Sequence, residues 1–135
     1  MPDITGHCRC GKVSYRSSAE PAFAGICHCR SCQNSTGSAF ATVVGLPADS
    51  LSVSGTTKQF DDIADSGKPT HRAFCTECGS TIKQWVDVMP GIVMVPAGTL
   101  DDPAAVKPMM QLYCDSALPW AALREDLKSF PKMPG

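Results

Sequence analysis

The grouping of the cysteines constrains this 135-residue chain more than any other feature of its sequence. The chain has eight cysteines, and seven of them fall into a Cys-x-Cys pair (8–10), a triplet in "CHCRSC" (27–32) and a Cys-x-x-Cys pair (75–78). Closely spaced thiols can chelate one metal ion, whereas a disulfide framework usually spreads its cysteines along the chain. The grouping therefore favours metal binding over disulfide bonds.

Charge and hydropathy exclude several classes of partner. Twelve basic and 13 acidic side chains give a net charge of −1, so there is no electrostatic footprint for nucleic acid or an anionic membrane. The first residues, "MPDITGHCRC", lack the basic and apolar regions of a signal peptide. No apolar run approaches the length of a membrane span. We therefore expect a cytoplasmic protein with no nucleic-acid partner and no membrane partner.

The remainder of the chain predicts a single domain over residues 1–135, built from short strands. Glycine and proline number 11 each, and β-branched and aromatic residues gather between them. Six runs are predicted to be strands: KVSYR (12–16), AFATVVGL (39–46), LSVSG (51–55), TIKQWV (81–86), GIVMVPAG (91–98) and MMQLYC (109–114). Pro96 would place the fifth strand at a sheet edge or end it early.

Helical signals are few. RSCQNSTG (30–37) could carry one helical turn. PWAALREDLKSF (119–130) opens with a proline and spaces Ala122, Leu123 and Leu127 as a helix would. The segment DDIADSGKPT (61–70) is predicted to be a loop. The chain is therefore predicted to be an all-β, mainly β, fold of several short antiparallel sheets, in which metal supplies part of the folding free energy.

The two outer cysteine pairs share a detail, because Gly11 and Gly79 directly follow their second cysteines. A metal knuckle turns backbone N–H groups toward sulfur, and the next residue often needs the positive φ that glycine adopts without steric cost. Four thiolates make a closed, tetrahedral, structural zinc site. The predicted ligands of this structural zinc are Cys8, Cys10, Cys75 and Cys78.

The inner triplet follows a different pattern, since Gln33 rather than glycine follows its last cysteine. Catalytic zinc keeps three protein ligands and leaves the fourth position to water or substrate. The triplet of Cys27, Cys29 and Cys32 fits such an open site. Cys114 is the eighth cysteine, however, and eight cysteines also divide into two closed Cys₄ sites.

Five motifs follow one another along the chain: "GHCRCGKVSY", "CHCRSCQNSTGSAF", "FCTECGSTI", "GTLDDP" and "YCDSALPW". With these motifs, in this order, the chain resembles the glutathione-dependent formaldehyde-activating enzyme family, which includes centromere protein V. The resemblance runs from about Gly6 to Trp120 and implies an all-β zinc fold related to methionine sulfoxide reductase B. It implies two zinc ions per chain: a structural one on the outer cysteines and a catalytic one on Cys27, Cys29 and Cys32. Relatives often carry a histidine where this chain has Gln111, and an aliphatic residue at Cys114.

The chemistry expected of the inner site is thiol exchange. Zinc with three thiolates carries a net charge of −1 and is a weak activator of water, but it accepts an incoming thiol as thiolate. We infer reversible formation and cleavage of a carbon–sulfur bond, and the resemblance implies glutathione as the small-thiol partner and formaldehyde as the carbon partner. We expect this inner zinc to be labile, and the site can be partly empty after purification.

Two other classes of function remain open at this point. The first is a non-catalytic binding module in which Cys114 closes the inner site. The second is a redox enzyme in which Cys114 is a free thiol of low pKa.

Other polar residues are interpreted more conservatively. His28 lies between two predicted ligands, and we expect a partly exposed ring, with proton transfer or a hydrogen bond near the ligands as the alternatives. His7 and His71 are expected to be structural or surface residues. The loop residues Arg30, Ser31, Asn34 and Thr36 could contact a carboxylate-bearing substrate, but are interpreted as solvated. Tyr113 and Trp120 are expected to pack the end of a sheet, and Met109 and Met110 to lie in the core or at its rim.

Overall fold

The computed structural model describes residues 3–121 and 123–134, and these are mainly β, with 42% strand and 15% helix. The strands of this part of the chain are β1 (Ile4–His7), β2 (Ser14–Ser17), β3 (Phe23–Cys27), β4 (Ala41–Pro47), β5 (Leu51–Ser54), β6 (Thr57–Ile63), β7 (Pro69–Cys75), β8 (Thr81–Val86), β9 (Ile92–Pro96), β10 (Met110–Leu112) and β11 (Lys128–Ser129). One α-helix is described, α1 (Arg30–Thr36), with 3₁₀ turns at Ala48–Ser50, Ala97–Thr99, Pro103–Ala105 and Cys114–Ser116. None of the described helices combines the length and apolarity needed to cross a membrane.

The strands form two sheets. A three-stranded sheet has the order β1-β2-β5, and an eight-stranded sheet has the order β11-β10-β3-β4-β9-β8-β7-β6. Most neighbours are antiparallel, but β10 runs parallel to both β3 and β11. These parallel pairs differ from the predicted antiparallel arrangement, and one of them sets Leu112 beside Cys27. Because β10 is distant in sequence from β3, the inner cysteines acquire late-chain neighbours.

The main hydrophobic core lies between the two sheets. It contains Val13 and Tyr15 from the first sheet region and Leu46, Ile82 and Val95 from the second. Burial alternates along β2, as the sequence pattern of a half-buried strand predicts. The sulfur-bearing Cys8 and Cys75 belong to the same core. Two of the outer cysteines are therefore held in place by hydrophobic packing.

Each of the six predicted strands overlaps a strand of the structure, and β9 ends at Pro96 as expected. The prediction of a loop at 61–70 is correct only for the turn at 64–68: residues 61–63 belong to β6 and residues 69–70 to β7, and the two strands pair from Asp61 opposite His71 to Ile63 opposite Pro69. Five strands were not predicted from the sequence: the two-residue β11, and β1, β3, β6 and β7, which lack a clear period-2 pattern. Their pairing is decided by neighbouring strands rather than by local hydrophobic alternation.

The predicted helical turn at 30–37 is confirmed. The Cys29 sulfur accepts the backbone N–H of Cys32 at the N-terminus of α1, and Gly37 ends the helix with φ of 67°. The predicted helix at 119–130 is wrong, because turns and β11 occupy this region. Its backbone bonds to β10 instead, with the Phe130 N–H donating to the Gln111 carbonyl oxygen at 3.0 Å. Ala122 of that prediction lies outside the described residues.

Candidate metal centres

The outer cysteines meet at one point, as predicted from their glycines. The four sulfur atoms of Cys8, Cys10, Cys75 and Cys78 lie within 4.8 Å of one another. The Cys10 sulfur is 3.6 Å from that of Cys8 and 3.8 Å from that of Cys75. A tetrahedral zinc with Zn–S bonds near 2.3 Å requires S···S separations of about 3.8 Å. The donor set and its spacing therefore fit a structural zinc.

Backbone turns hold these sulfurs in place. The Val13 N–H donates to the Cys8 sulfur at 3.3 Å, and the Glu77 N–H donates to the Cys75 sulfur at 3.3 Å. Such donors stabilise thiolate over thiol. The turns need left-handed residues, and Gly11 and Gly79 have φ of 83° and 79°.

The Cys78 thiol of this outer group is readily ionised. The Ser80 hydroxyl lies 3.3 Å from its sulfur. Hydrogen bonds from that hydroxyl and from the Ser80 backbone N–H lower the pKa of Cys78 to about 5. A thiol with such a pKa is already a metal-binding thiolate at neutral pH.

The inner group is assembled from one short stretch of chain. Cys27 ends β3, Cys29 is the N-cap of α1, and Cys32 lies in the first turn of that helix. Their sulfurs lie within 4.8 Å of one another. The Cys32 N–H donates to the Cys29 sulfur at 3.3 Å. The local turn from strand to helix is thus sufficient to bring three thiols together.

The three inner thiols do not ionise independently. Hydrogen bonds from Cys27 and Cys32 lower the pKa of Cys29 to about 3. In turn the Cys29 sulfur raises the pKa of Cys27 to about 12, and the pKa of Cys32 is raised by both of its partners. Three adjacent thiolates repel one another, so a bound cation is needed for all three to be ionised. This donor set fits a thiophilic ion such as zinc.

Cys114 lies outside both sulfur groups. It follows β10 on a 3₁₀ turn, and its sulfur is 3.6 Å from the Gln111 carbonyl oxygen. Neither of the described clusters of potential ligands includes it. In the described residues the inner group therefore has three thiols, which is the arrangement of an open site.

A cleft opens beside the inner thiols. Its walls come from β3, α1, β4, β8, β9, β10 and the β6–β7 hairpin, and its cavity volume is about 100 Å³. Apolar side chains make most of the wall: Phe23, Ile26, Val43, Val86, Val88, Met89, Met94, Leu112 and Met133. Ser31 and Ser35 of α1 and Thr70 of β7 contribute hydroxyl groups. A small ligand bound through sulfur would be largely shielded from water here.

Tyr113 belongs to this site, although its predicted role was to pack the end of a sheet. It lines the cleft, and burial together with the neighbouring Cys29 and Cys27 raises the pKa of its phenol. Its backbone has φ of 54°, which is unusual for a residue other than glycine. That turn lets Tyr113 face the inner cysteines while Cys114 faces away. The parallel pairing of β10 with β3, which places it there, leaves no local signal in the sequence.

Trp120 was also predicted to pack the sheet end, but it is 72% exposed. Met109 is exposed as well, while Met110 lies against Gly25 of β3. Among the described residues, neither methionine belongs to the hydrophobic cluster around Cys29 and Cys32.

Gln111 does not face the cleft. It is 1% exposed, and its amide nitrogen donates to the Arg124 carbonyl oxygen at 2.6 Å and to the Ser129 hydroxyl at 2.8 Å. Its side-chain oxygen accepts the Arg124 N–H. Gln111 therefore connects the C-terminal segment to β10 through side-chain hydrogen bonds.

His28 differs from its expected partly exposed state. Its ring is 2% exposed and lies near Phe40, with ring centroids 5.6 Å apart. Neither ring nitrogen has a hydrogen-bond partner among the described residues. The ring is buried and does not belong to the inner sulfur group, so it has almost no contact with solvent through which to carry a proton.

The other two histidines contact carboxylates near the surface. His7 contacts the Asp101 carboxylate at 2.6 Å. His71 bridges Asp61 and Asp87 at 2.7 and 2.9 Å and stacks on Trp85. Both agree with a structural or surface role.

The loop residues around the inner site divide into two kinds. Ser31 lines the cleft, whereas Arg30, Asn34 and Thr36 are exposed. The Arg30 guanidinium bonds to the Gln33 side chain, and the Thr36 hydroxyl donates to the Cys32 carbonyl oxygen at 3.0 Å.

The fold and the two thiol groups define a class of protein: a mainly β domain with one four-thiol and one three-thiol centre able to hold metal. The sequence profile described as "Glutathione-dependent formaldehyde-activating enzyme" matches residues 3–116, and the chain belongs to this family. The family is named for activating formaldehyde with glutathione. A crystal structure of a Rhodobacter sphaeroides protein is similar in fold, with TM-score 0.59 and 22% identity over 77% of this chain and 91% of that chain. No curated protein matches the sequence.

Proposed function

We propose that this protein is a zinc-dependent carbon–sulfur lyase acting on a thiol–aldehyde adduct. The adduct would be S-hydroxymethylglutathione, from glutathione and formaldehyde, or the adduct of a related small thiol. The observation that carries the proposal is the open inner group: three thiols line a cleft, and the Cys114 sulfur lies elsewhere. A closed Cys₄ site would leave no position for a ligand from outside.

The two thiol groups have different roles in this proposal. The four outer cysteines, Cys8, Cys10, Cys75 and Cys78, hold a structural zinc. The catalytic zinc is held by Cys27, Cys29 and Cys32. When bound there, zinc supplies a cationic position that holds an incoming thiol as the nucleophilic thiolate.

The chain itself orients the substrate and excludes water. In the forward direction the thiol sulfur bonds to the aldehyde carbon, the carbonyl electron pair moves to oxygen, and oxygen takes the proton that the thiol gave up. Tyr113, Ser31 and Ser35 line the cleft and can donate hydrogen bonds to that oxygen. The apolar wall keeps competing water from the sulfur.

Cobalt substitution tests the open site directly. With cobalt in place of zinc, glutathione is titrated while the sulfur-to-cobalt charge-transfer bands are followed. We expect a saturable change that Cys114→Ser retains, because Cys114 is not in the inner group.

The contrary result would be an inner site fully loaded with cobalt that does not respond to glutathione and whose spectrum changes in Cys114→Ser. It would indicate two closed sites and a binding module. Loss of turnover in Cys114→Ser with both metals retained would instead indicate a redox enzyme that uses Cys114.

A further inference from the structure

The β6–β7 hairpin presents one row of side chains to the cleft that the inner thiols line. Phe60 lies directly opposite Arg72, and Asp62 lies directly opposite Thr70. Because alternate residues of a strand share a face, these four side chains lie on the same face of the hairpin, and all four line the cleft. Asp62 and Arg72 are diagonal neighbours there, roughly 7–8 Å apart. An acid and a base of the hairpin therefore face the same cleft as the inner thiols.

The Arg72 guanidinium is held in a fixed plane but has no carboxylate partner among the described residues. The ion pairs in this part of the chain join other side chains. The guanidinium carbon lies over the Phe60 ring, 4.8 Å from its centroid. Stacking on a ring occupies the flat face of a guanidinium and leaves the N–H groups at its edge free for two parallel hydrogen bonds to a carboxylate. Arg72 is therefore a cation that is positioned to bind an anion.

Asp62 is the complementary anion on the same face. Its side chain is half-buried, and its Oδ1 atom accepts the Ile63 backbone N–H at 2.8 Å. It forms no ion pair with any described residue, Arg72 included. A carboxylate has about four acceptor positions, so most of those on Asp62 remain for a donor from outside.

The other charged groups near the cleft are engaged within the protein. His71 contacts two carboxylates, and the Asp65 carboxylate accepts the Arg30 backbone N–H at 2.8 Å. The Arg30 guanidinium bonds to the Gln33 side chain. The acid and the base on the hairpin face are therefore the charges that a ligand in the cleft can use.

We propose that Asp62 and Arg72 bind the α-amino acid group of the thiol substrate, with Arg72 holding its carboxylate and Asp62 holding its ammonium group. This inference rests on the proposed function. An α-amino acid group carries both charges on one carbon atom, so it fits between an acid and a base that are neighbours but do not pair with each other. In glutathione this group belongs to the γ-glutamyl residue. The glycine end carries a carboxylate alone and would leave Asp62 without a partner.

Binding of glutathione analogues to the zinc-loaded protein tests the two contacts one at a time. 4-Aminobutanoyl-cysteinylglycine lacks only the α-carboxylate, and glutaryl-cysteinylglycine lacks only the ammonium group. Isothermal titration calorimetry is expected to show that each binds about tenfold more weakly than glutathione, because each loses a charge-assisted contact. Glutathione esterified at its glycine is expected to bind as tightly as glutathione. Either analogue binding as tightly as glutathione, a loss of affinity only on esterification, or no binding of glutathione overturns the inference.

Two variants assign each contact to its residue. In Arg72→Gln, glutathione and the 4-aminobutanoyl analogue are expected to bind equally, while the glutaryl analogue still binds about tenfold more weakly. In Asp62→Asn the two analogues exchange these outcomes. A purely structural role would weaken the binding of all three ligands alike, and that result in a folded variant overturns the inference. The ligand series on the unaltered protein remains decisive if a variant does not fold.

The matched controls remove the same charges outside the cleft. Lys58→Gln removes a positive charge from an exposed position of β6, and Asp49→Asn removes a negative charge from an exposed position after β4. Neither residue lines the cleft, so both controls are expected to bind the three thiols as the unaltered protein does. A loss of affinity in the controls equal to that in the cleft variants would assign the effect to overall charge and overturn the inference.

Turnover separates this inference from the proposed function. Formaldehyde is supplied with glutathione or with either analogue, and carbon–sulfur bond exchange is followed by NMR. Exchange with glutathione, together with weaker binding of both analogues, supports both proposals. Exchange with equal affinity for all three thiols overturns only the contacts of Asp62 and Arg72. The expected binding pattern without any exchange keeps these contacts and rejects the lyase.

Discussion

At the scale of single residues, His28 and Gln33 show two ways of burying a polar side chain next to the inner thiols. Both are almost completely buried. Gln33 donates to the carbonyl oxygens of His28 and Ser116 at 2.8 and 2.9 Å, whereas the ring nitrogens of His28 have no described partner. A buried polar atom without a partner keeps its full desolvation cost.

Replacing His28 with an apolar side chain is therefore expected to stabilise the protein. His28→Leu should raise the free energy of unfolding by about 1 kcal/mol, because two desolvated nitrogens are removed. Urea unfolding of the zinc-loaded protein measures this. A decrease of more than about 1 kcal/mol in the free energy of unfolding would show that the His28 ring makes a favourable interaction.

The opposite change in the free energy of unfolding is expected when Gln33 is replaced. Gln33→Leu removes the donors to two buried carbonyl oxygens and should lower the free energy of unfolding by about 2 kcal/mol. The same urea titration measures it. An unchanged stability would mean that the two carbonyl groups find other donors.

At the scale of elements, the turn between β7 and β8 is built around a left-handed glycine. Gly79 has φ of 79°, and its N–H donates to the Cys75 carbonyl oxygen at 2.9 Å. An added Cβ would meet no atom within 4 Å, so any cost of a side chain comes from the backbone conformation alone.

Gly79→Ala is accordingly expected to lower the free energy of unfolding by about 1–2 kcal/mol. Gly98→Ala is the matched control, because that position is equally open but has no positive φ. Thermal unfolding of both variants measures the two changes in stability. Equal effects at the two positions would contradict the conformational argument.

A second contact between elements is made by His71 of β7, whose ring contacts the carboxylates of Asp61 on β6 and of Asp87, which follows β8. The Asp61 and Asp87 carboxylates raise the pKa of His71, so its stabilising charge is fully present below the ordinary pKa near 6.5 and is lost as pH rises through the raised pKa. Hydrogen bonds from Gln59 and, to a smaller extent, from His71 lower the pKa of Asp61. The stability that the Asp61 carboxylate contributes is therefore lost as pH falls through that lowered pKa.

His71→Gln should therefore lower Tm more at pH 6 than at pH 9. Differential scanning calorimetry at both pH values measures the difference. A Tm difference that does not change with pH would rule out the charged bridge as its source.

At the scale of the whole molecule, the outer thiols connect two distant parts of the chain. Cys10 and Cys75 are 65 residues apart, and Cys8 and Cys75 lie in the core between the sheets. The inner thiols come from one short stretch and line a cleft. Loss of metal should therefore affect the two centres differently.

Cys75→Ser is expected to lower the free energy of unfolding by several kcal/mol, since structural zinc supplies much of the folding free energy of small zinc domains. Cys29→Ser should keep most of the stability but lose the response of the cobalt spectrum to glutathione. Circular dichroism on heating, with zinc content measured in parallel, compares the two. A Cys29→Ser protein that unfolds as easily as Cys75→Ser would contradict this division of roles.

Some features of the fold and of the thiol groups were predictable from the sequence because they depend on local geometry. The glycine after each outer pair requires a positive φ, and the Cys-x-Cys-x-x-Cys spacing joins a strand end to a helix start, so the two outer turns and the inner thiol group follow from short-range constraints. The hairpin of β6 and β7 was missed because its strands depend on pairing rather than on alternation. The helix predicted at 119–130 gave way to hydrogen bonds with β10.

The sequence by itself therefore determined the mainly β class, the inner thiol triplet and the two outer cysteine turns, because these are consequences of residue type and near-neighbour spacing. Only the tertiary structure decided which distant residues surround the inner group. The parallel pairing of β10 with β3 brought Tyr113 to the thiols, directed Cys114 and Gln111 away, and completed the apolar wall of the cleft. Such long-range contacts depend on the packing of the whole chain, which a local pattern does not encode.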